Sequence, residues 1–214
     1  SYAEQIAYSI KNNLSASEKT QKEWQHYKNQ NFSAREIESV SPLLSTKWNQ
    51  GRYFNTQCPE DSEGLDGHAV TGCVATALGQ IFNYFRYPTQ GTGSYGYDHE
   101  TYGHLEVNFE EQRYDYDYMP NSPTDYNENL ARLLYNIGVS VDMQYGPDGS
   151  GRYNHKGAYT MYTHFGYCDT TRYIFKDSLP TIIPESVEND TVIPDSIWNG
   201  ILVDHLNRRI PLYY

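Results

Sequence analysis

The chain has 214 residues, of which 27 are acidic, 16 are basic and 22 are tyrosines, and its formal net charge is −11. This charge argues against nucleic-acid binding, because phosphate recognition depends on clusters of Lys and Arg. The length suits one domain of ordinary size, or one domain with a short appendage. No apolar run approaches the roughly 20 residues that are needed to span a bilayer.

Residues 1–40 differ in character from the rest of the chain. Two stretches, 3–10 and 17–24, have the polar and weakly amphipathic pattern of surface helices. Residues 31–41 have the composition of an exposed connector, and Pro42 starts a section of different composition. We therefore predict a domain boundary near residue 40.

The strongest helix signal begins at Cys73. Apolar residues recur from Val74 to Phe85 on one helical stripe, and Tyr87-Pro88 ends the pattern because proline cannot continue the hydrogen-bond ladder. The N-terminus of a helix stabilises an anion, and the thiolate is the nucleophilic form of cysteine. Position alone leaves two interpretations of Cys73 open, a nucleophile or a small buried apolar side chain.

The remaining pattern predicts short elements joined by loops. Residues 89–127 have the composition of turns, with one strand at 104–109. Three helices are predicted, at 127–137 with Gly138 as the C-terminal glycine, at 156–165, and at 195–207. Short strands are expected at 139–143 and, as the first half of a strand, at 211–214. Residues 179–193 have the composition of a surface loop.

The three cysteines are Cys58, Cys73 and Cys168. Because their number is odd, at least one thiol lacks an intramolecular partner. Cys58 and Cys168 form either a disulfide or two separate thiols, and both possibilities stay open. The absence of Cys-x-x-Cys and His-x-x-x-His pairs argues against a structural zinc site.

The residues around Cys73 resemble those of a known family. The run from 67 to 77, Gly-His-Ala-Val-Thr-Gly-Cys-Val-Ala-Thr-Ala, resembles the nucleophile segment of the streptopain-like cysteine peptidases, which are secreted bacterial enzymes with a papain-like fold. Three further stretches agree in the same order. They are Pro42-Leu43-Leu44 followed by Trp48-Asn49-Gln50-Gly51 at the start of the mature enzyme, 138–147 beside the substrate cleft, and Pro211-Leu212-Tyr213-Tyr214 at the entry to the second half of the domain.

The resemblance implies an α+β, papain-like two-lobed fold, with residues 41–214 supplying the helical lobe and the start of the sheet lobe. It implies that Cys73 attacks the peptide carbonyl and that the Gln50 side chain donates to the resulting oxyanion. The implied substrate-binding residues are Val141, Met143 and Gly146. The implied protein is a cysteine endopeptidase, secreted or at the cell surface, that acts on proteins or peptides and uses no metal or cofactor.

The base histidine of this family is expected beyond residue 214, in a further segment or a second chain. His68 belongs to the matching run, but we expect it to support its loop. The other histidines are expected at solvated or surface positions: His99, His104, His155, His164 and His205. His26 lies in the front extension.

Two other interpretations stay open for a chain without its base. One is an inactive binding protein on a peptidase scaffold, which would stack exposed aromatic rings on a ligand. The candidate tyrosines are Tyr95, Tyr97, Tyr102, Tyr114, Tyr116 and Tyr118. The other is an acyltransferase or amidase that uses the same thiol.

The resemblance also implies that residues 1–40 are the C-terminal part of a pro-segment, which in this family keeps the enzyme latent until it is removed. An ordinary helical appendage is the alternative. Under the first interpretation, we expect incubation with a reducing agent to produce a new N-terminus within residues 38–42, detected by N-terminal sequencing. A sample that keeps its original N-terminus would contradict the interpretation.

Overall fold

The computed structural model describes residues 40–169, 171–176 and 190–213, together with positions 11, 18, 21 and 22, which are helical. By its contacts the chain divides into two units, Ser1–Ser39 and Val40–Tyr214. The rest of the predicted front helices, His26 and residues 179–189 of the predicted surface loop lie outside the described residues.

The second unit mixes helices with two small sheets. Its helices are α1 (Cys73–Phe85), α2 (Glu128–Ser140), α3 (His155–Thr163) and α4 (Asp195–Asn207). Its strands are β1 (Ser94–His99), β2 (Gly103–Asn108), β3 (Tyr173–Lys176) and β4 (Asp190–Ile193). Strands β1 and β2 pair antiparallel and β3 and β4 pair parallel, so the predicted α+β class is confirmed. Of the described helices, none is both long and apolar enough to cross a bilayer.

Helices α1 and α2 form the centre of the core. The apolar stripe that predicted α1 is buried from Val74 to Phe82, whereas Phe85 at its end is 43% exposed. Helix α2 contributes the equally buried Leu134. The two helices approach closely at Gly79, where a Cβ atom would lie 2.6 Å from Cδ2 of Leu134 and 3.2 Å from Cζ3 of Trp48. This contact fixes Trp48, and the chain that follows it, against α1.

The predicted end of α2 at Gly138 and the predicted strand at 139–143 are wrong. The helix continues through Ser140 and ends where Asp142 adopts a left-handed conformation, with φ of 54°. The amides of Asp142 and Met143 then donate to the carbonyls of Val139 and Gly138, at 3.1 and 3.0 Å. These two bonds form a Schellman motif. The apolar alternation at 139–143 therefore reflects burial in the last turn of a helix.

Position 138 requires glycine because a tyrosine side chain packs directly against its Cα atom. A Cβ at this position would overlap the hydroxyl of Tyr145 and lie 3.0 Å from its Cζ atom, and Tyr145 is itself buried. We expect Gly138→Ala to lower the free energy of unfolding by about 2 kcal/mol, because overpacking outweighs the better helix propensity of alanine. Urea denaturation measures this difference.

Gly200 in α4 provides the matched control. Among the described residues, no atom outside the neighbouring turns of its own helix lies within 4 Å of a Cβ built there. Gly200→Ala should therefore raise the free energy of unfolding by about 0.5–1 kcal/mol through helix propensity alone. Equal effects of the two substitutions would contradict the packing argument.

The β1–β2 hairpin is only half predicted. The expected strand at 104–109 is present as β2, but β1 lies in a stretch whose composition predicts turns. The strand forms because its tyrosines find partners in the core: the Tyr97 hydroxyl donates to the carbonyl of Met143 at 2.6 Å. The hairpin thus packs on the chain that leaves α2.

The expected strand at 211–214 is wrong over its described residues, which have no regular structure. A strand needs a neighbour to pair with, and none of the strands in the described part of the chain pairs with these residues. The Tyr213 hydroxyl instead donates to Oδ1 of Asn154 at 3.1 Å. The loop predicted at 179–193 is likewise wrong at its end, where β4 pairs with β3.

Candidate active site

Cys73 is the first residue of α1, and its side chain is exposed. The residue before it, Gly72, has φ of 86°, a conformation that favours glycine. Glycine is also required for space, because a Cβ there would lie 2.6 Å from Sδ of Met143 and 3.2 Å from the carbonyl oxygen of Ser150. Gly72 makes no side-chain cap hydrogen bond, so Cys73 begins a helix whose first N–H groups are not capped by the residue before it.

Gln50 is brought to the same region through Thr71. Its carbonyl accepts hydrogen bonds from the backbone amide of Thr71 at 2.9 Å and from the Thr71 hydroxyl at 3.3 Å. On the other side, the Trp48 indole donates to the carbonyl of Pro120 at 3.0 Å and packs on α1. The backbone of Gln50 is thus held between two anchors, beside the segment that leads to Cys73.

The chain from 141 to 152, which we call the wall loop, lies beside the nucleophile segment. The amide of Val70 donates to the carbonyl of Gly146 at 3.1 Å. The Ser150 hydroxyl donates to the carbonyl of Val70 at 2.6 Å and accepts from the amide of Gly146 at 3.1 Å. Ser150 therefore ties the wall loop to a residue only three positions before Cys73, a role that its place in a glycine-rich stretch does not signal.

The three predicted substrate-binding residues differ in exposure. Gly146 is partly exposed, whereas the side chains of Val141 and Met143 are 0% exposed. Met143 packs against Gly72 from within the core. Substrate contact by these residues stays a prediction, and the burial of Val141 and Met143 favours support of the wall loop from behind.

The prediction that His99 and His155 are solvated is wrong. Both are buried, because each packs against aromatic rings, including Tyr102 for His99 and Tyr153 for His155. His99 Nδ1 accepts hydrogen bonds from the backbone amides of Thr101 and Tyr102, at 3.1 and 3.3 Å. Burial lowers the pKa of His99 and so favours the neutral ring.

Two further histidines differ in their environments. His104 is exposed, as predicted, and its hydrogen bond to Asp98, at 2.7 Å, raises its pKa. His164 is predicted at a helix surface, but its ring stacks on Phe109 with centroids 4.7 Å apart, and burial lowers its pKa. The contacts described for these rings do not involve Cys73.

His68 and His205 contact backbone carbonyls. His68 Nδ1 lies 2.9 Å from the carbonyl oxygen of Cys58, which agrees with the predicted support of its own loop. His205 is partly exposed, and its Nδ1 lies 2.8 Å from the carbonyl oxygen of Ile201 within α4. Both rings stabilise local backbone structure.

The three cysteines form no disulfide in the structure. Cys58 is buried, whereas Cys73 and Cys168 are exposed. Burial raises the pKa of the Cys58 thiol to about 12, which keeps it protonated at neutral pH. Cys58 is therefore a core residue, and the exposed thiols are those of Cys73 and Cys168.

Most of the six candidate ligand-stacking tyrosines are buried or hydrogen-bonded within the fold. Tyr114 and Tyr116 are buried, and the Tyr116 hydroxyl donates to the carbonyl of Pro88 at 2.7 Å. The Tyr102 hydroxyl donates to Asp61, and Tyr102 has its pKa raised to about 12 by burial and by that contact. Among the six, Tyr118 is the most exposed, at 67%. This arrangement disfavours a ligand-stacking surface.

An apolar cavity of about 650 Å³ extends from α1 to α4. Leu78 and Phe85 line it on the α1 side, Trp198 on the α4 side, and Leu212 and Tyr213 along the end of the described chain. Burial raises the pKa of Tyr213, with smaller contributions from Tyr173 and Cys73.

The chain is similar in sequence to known proteases. The model of the Peptidase C10 family matches residues 48–214. The thiol protease/hemagglutinin PrtT of Porphyromonas gingivalis is 28% identical over 193 residues, which cover 82% of this chain and 20% of PrtT. Streptopain of Streptococcus pyogenes is 25% identical over 197 residues, which cover 82% of this chain and 46% of streptopain. The chain thus spans about half or less of the curated relatives it matches.

Two solved structures from Prevotella intermedia are similar in fold. A fragment of prointerpain A aligns with a TM-score of 0.54 and 35% identity, covering 59% of this chain and 43% of that one. The active cysteine protease interpain A aligns with a TM-score of 0.54 and 36% identity, covering 59% and 55%. The papain-like fold and the resemblance to streptopain are confirmed. The match over residues 48–214 shows that the chain belongs to the Peptidase C10 family of cysteine peptidases.

Proposed function

We propose that residues 41–214 carry the nucleophile side of a cysteine endopeptidase that hydrolyses peptide bonds in proteins. The observation that carries this proposal is the exposed Cys73 thiol at the first residue of α1, between the Gln50 segment and the wall loop. Similarity to streptopain and interpain A supports the same reaction class.

In this mechanism the Cys73 thiolate attacks the carbonyl carbon of the scissile peptide bond, and the carbonyl electron pair moves onto oxygen. The Gln50 side-chain amide and the Cys73 backbone N–H donate hydrogen bonds to that oxyanion. The tetrahedral intermediate then expels the amine, which takes a proton from a histidine, and leaves a thioester. Water, activated by the same histidine, hydrolyses the thioester and regenerates the thiol.

The histidine in this proposal is supplied by a further segment beyond residue 214 or by a second chain. Protein or peptide substrates bind along the wall loop at the partly exposed Gly146, where the lack of a side chain leaves space for a peptide. The buried Val141 and Met143 support the loop from behind. Residues 1–40 act as the end of a pro-segment. Secretion or display at the cell surface follows from the resemblance to the streptopain-like enzymes.

Selective alkylation tests the nucleophile. We expect iodoacetamide at pH 6 to label Cys73 about tenfold faster than Cys168, because a helix N-terminus favours the reactive thiolate. Mass spectrometry of the digested protein locates and quantifies the adducts. Cys168 is an exposed control thiol within the same chain, and the buried Cys58 should stay unlabelled. Labelling of Cys73 no faster than that of Cys168 would favour the inactive binding protein.

A further inference from the structure

Asp142, in the wall loop, is a carboxylate enclosed by groups from three parts of the chain. It accepts a hydrogen bond from the Tyr95 hydroxyl of β1. It also pairs with Nζ of Lys156 in α3 at 2.9 Å and with a terminal guanidinium nitrogen of Arg152 at 3.4 Å. The side chains of Asp142 and Lys156 are 14% exposed and that of Arg152 is 16% exposed. The pairs are therefore shielded from water, which makes them stronger than surface ion pairs.

The backbone at Asp142 begins the wall loop. Its left-handed conformation, with φ of 54°, ends α2 and turns the chain toward Cys73. Aspartate and asparagine adopt this conformation more readily than other residues with a side chain. At the far end of the loop, Nε of Arg152 donates to the carbonyl of Val141 at 3.1 Å. Asp142 and Arg152 thus close the base of the loop.

Backbone hydrogen bonds also join the two sides of the wall loop above its base. Gln144 and Gly151 exchange two hydrogen bonds, of 3.1 and 3.2 Å. Beyond them, Gly146 and Ser150 are tied to Val70. The position of the loop beside Cys73 is therefore set at both ends, by Val70 at the tip and by the Asp142 carboxylate at the base.

We propose that Asp142 is a positioning residue for substrate binding, which holds the wall loop so that an extended peptide lies against Gly146 with its scissile carbonyl at Cys73. This inference rests on the proposed function. Asp142 acts through the loop rather than on the peptide, because its carboxylate is engaged by Tyr95, Arg152 and Lys156. Loss of its charge would remove the carboxylate that Arg152, Lys156 and Tyr95 share, and so weaken the contacts that fix the base of the loop.

The test compares two reagents that alkylate the same sulfur atom. Iodoacetamide reports the thiolate alone, whereas a peptidyl chloromethyl ketone must first bind along the wall loop. We expect Asp142→Asn, which keeps the shape and the backbone preference but not the charge, to slow the peptidyl reagent about tenfold, since a displacement of about 1 Å can cost up to about 100-fold. The iodoacetamide rate at Cys73 should change less than about twofold.

Asp117→Asn is the matched control. Asp117 also pairs with an arginine, Arg86, at 3.2 Å, but its side chain is 86% exposed. Both alkylation rates should equal those of the unchanged protein, because exposed pairs contribute little. Thermal unfolding of each variant establishes that the fold is retained.

Three outcomes would overturn the inference: unchanged rates in Asp142→Asn, equal slowing of both reagents, or no preference of the original protein for the peptidyl reagent over iodoacetamide. Slow iodoacetamide labelling of the original protein would instead overturn the proposed nucleophile. Should Asp142→Asn fail to fold, Tyr95→Phe removes one hydrogen bond from the same carboxylate and should slow the peptidyl reagent about threefold. An unchanged ratio of the two rates in Tyr95→Phe would also overturn the inference.

Discussion

Replacing Cys73 with serine is expected to lower kcat/KM for protein cleavage by about 10⁴-fold or more, because the site then lacks its nucleophile. A serine hydroxyl fits the space but is far harder to ionise than a thiol. It therefore attacks the peptide carbonyl far more slowly, and the thioester intermediate cannot form. Cleavage of an unfolded protein substrate measures the effect, in a form of the protein that supplies the histidine.

The control for this prediction is Cys168→Ser. Cys168 is an exposed thiol like Cys73, but it lies after α3 rather than at a helix start. Activity should be unchanged in that variant, and both variants should unfold at the same temperature as the original protein. Substantial cleavage by Cys73→Ser would contradict the proposed mechanism.

Replacing Gln50 with alanine is expected to lower kcat by about 10²–10³-fold while KM changes little. The reason is that the oxyanion exists only in the transition state and the intermediate, so a donor aimed at it contributes to kcat rather than to substrate binding. The hydrogen bonds that Thr71 makes to the Gln50 carbonyl do not depend on the side chain, so the backbone stays in place. Steady-state kinetics on a peptide substrate separate kcat from KM.

Gln57→Ala is the matched control. Gln57 is an exposed glutamine whose side-chain amide donates to the Tyr126 hydroxyl at 3.4 Å. Its replacement should leave both kinetic constants unchanged. A rise in KM with an unchanged kcat in Gln50→Ala would mean that Gln50 binds the substrate instead of the oxyanion.

Local patterns were sufficient to predict the elements that form from neighbouring residues. The apolar stripe from Val74 to Phe85 predicts α1 closely, and α4 forms over the expected residues. The same local pattern predicts the position of Cys73 at the start of this helix. These predictions succeed because helical periodicity and proline termination act within a few turns.

Features that depend on distant residues could not be predicted in this way. Gly138 has the sequence signature of a helix end, but the helix continues past it, and the position requires glycine because Tyr145 occupies the space beside it. His99 lies in a polar, tyrosine-rich stretch, yet rings from elsewhere in the fold bury it. The hydrogen bond from Tyr95 to Asp142 joins residues 47 positions apart, and no local period encodes it.

The hydrogen bond between Ser150 and Val70 has a consequence for the order of folding. It joins residues 80 positions apart, whereas α1 is built from contacts within one turn. Helices form in about a microsecond, and contacts between distant segments form much later because they must close a long loop. Helix α1, with Cys73 at its start, can therefore begin to form before the wall loop is placed beside it, so a partly folded chain carries the thiol without the neighbouring loop.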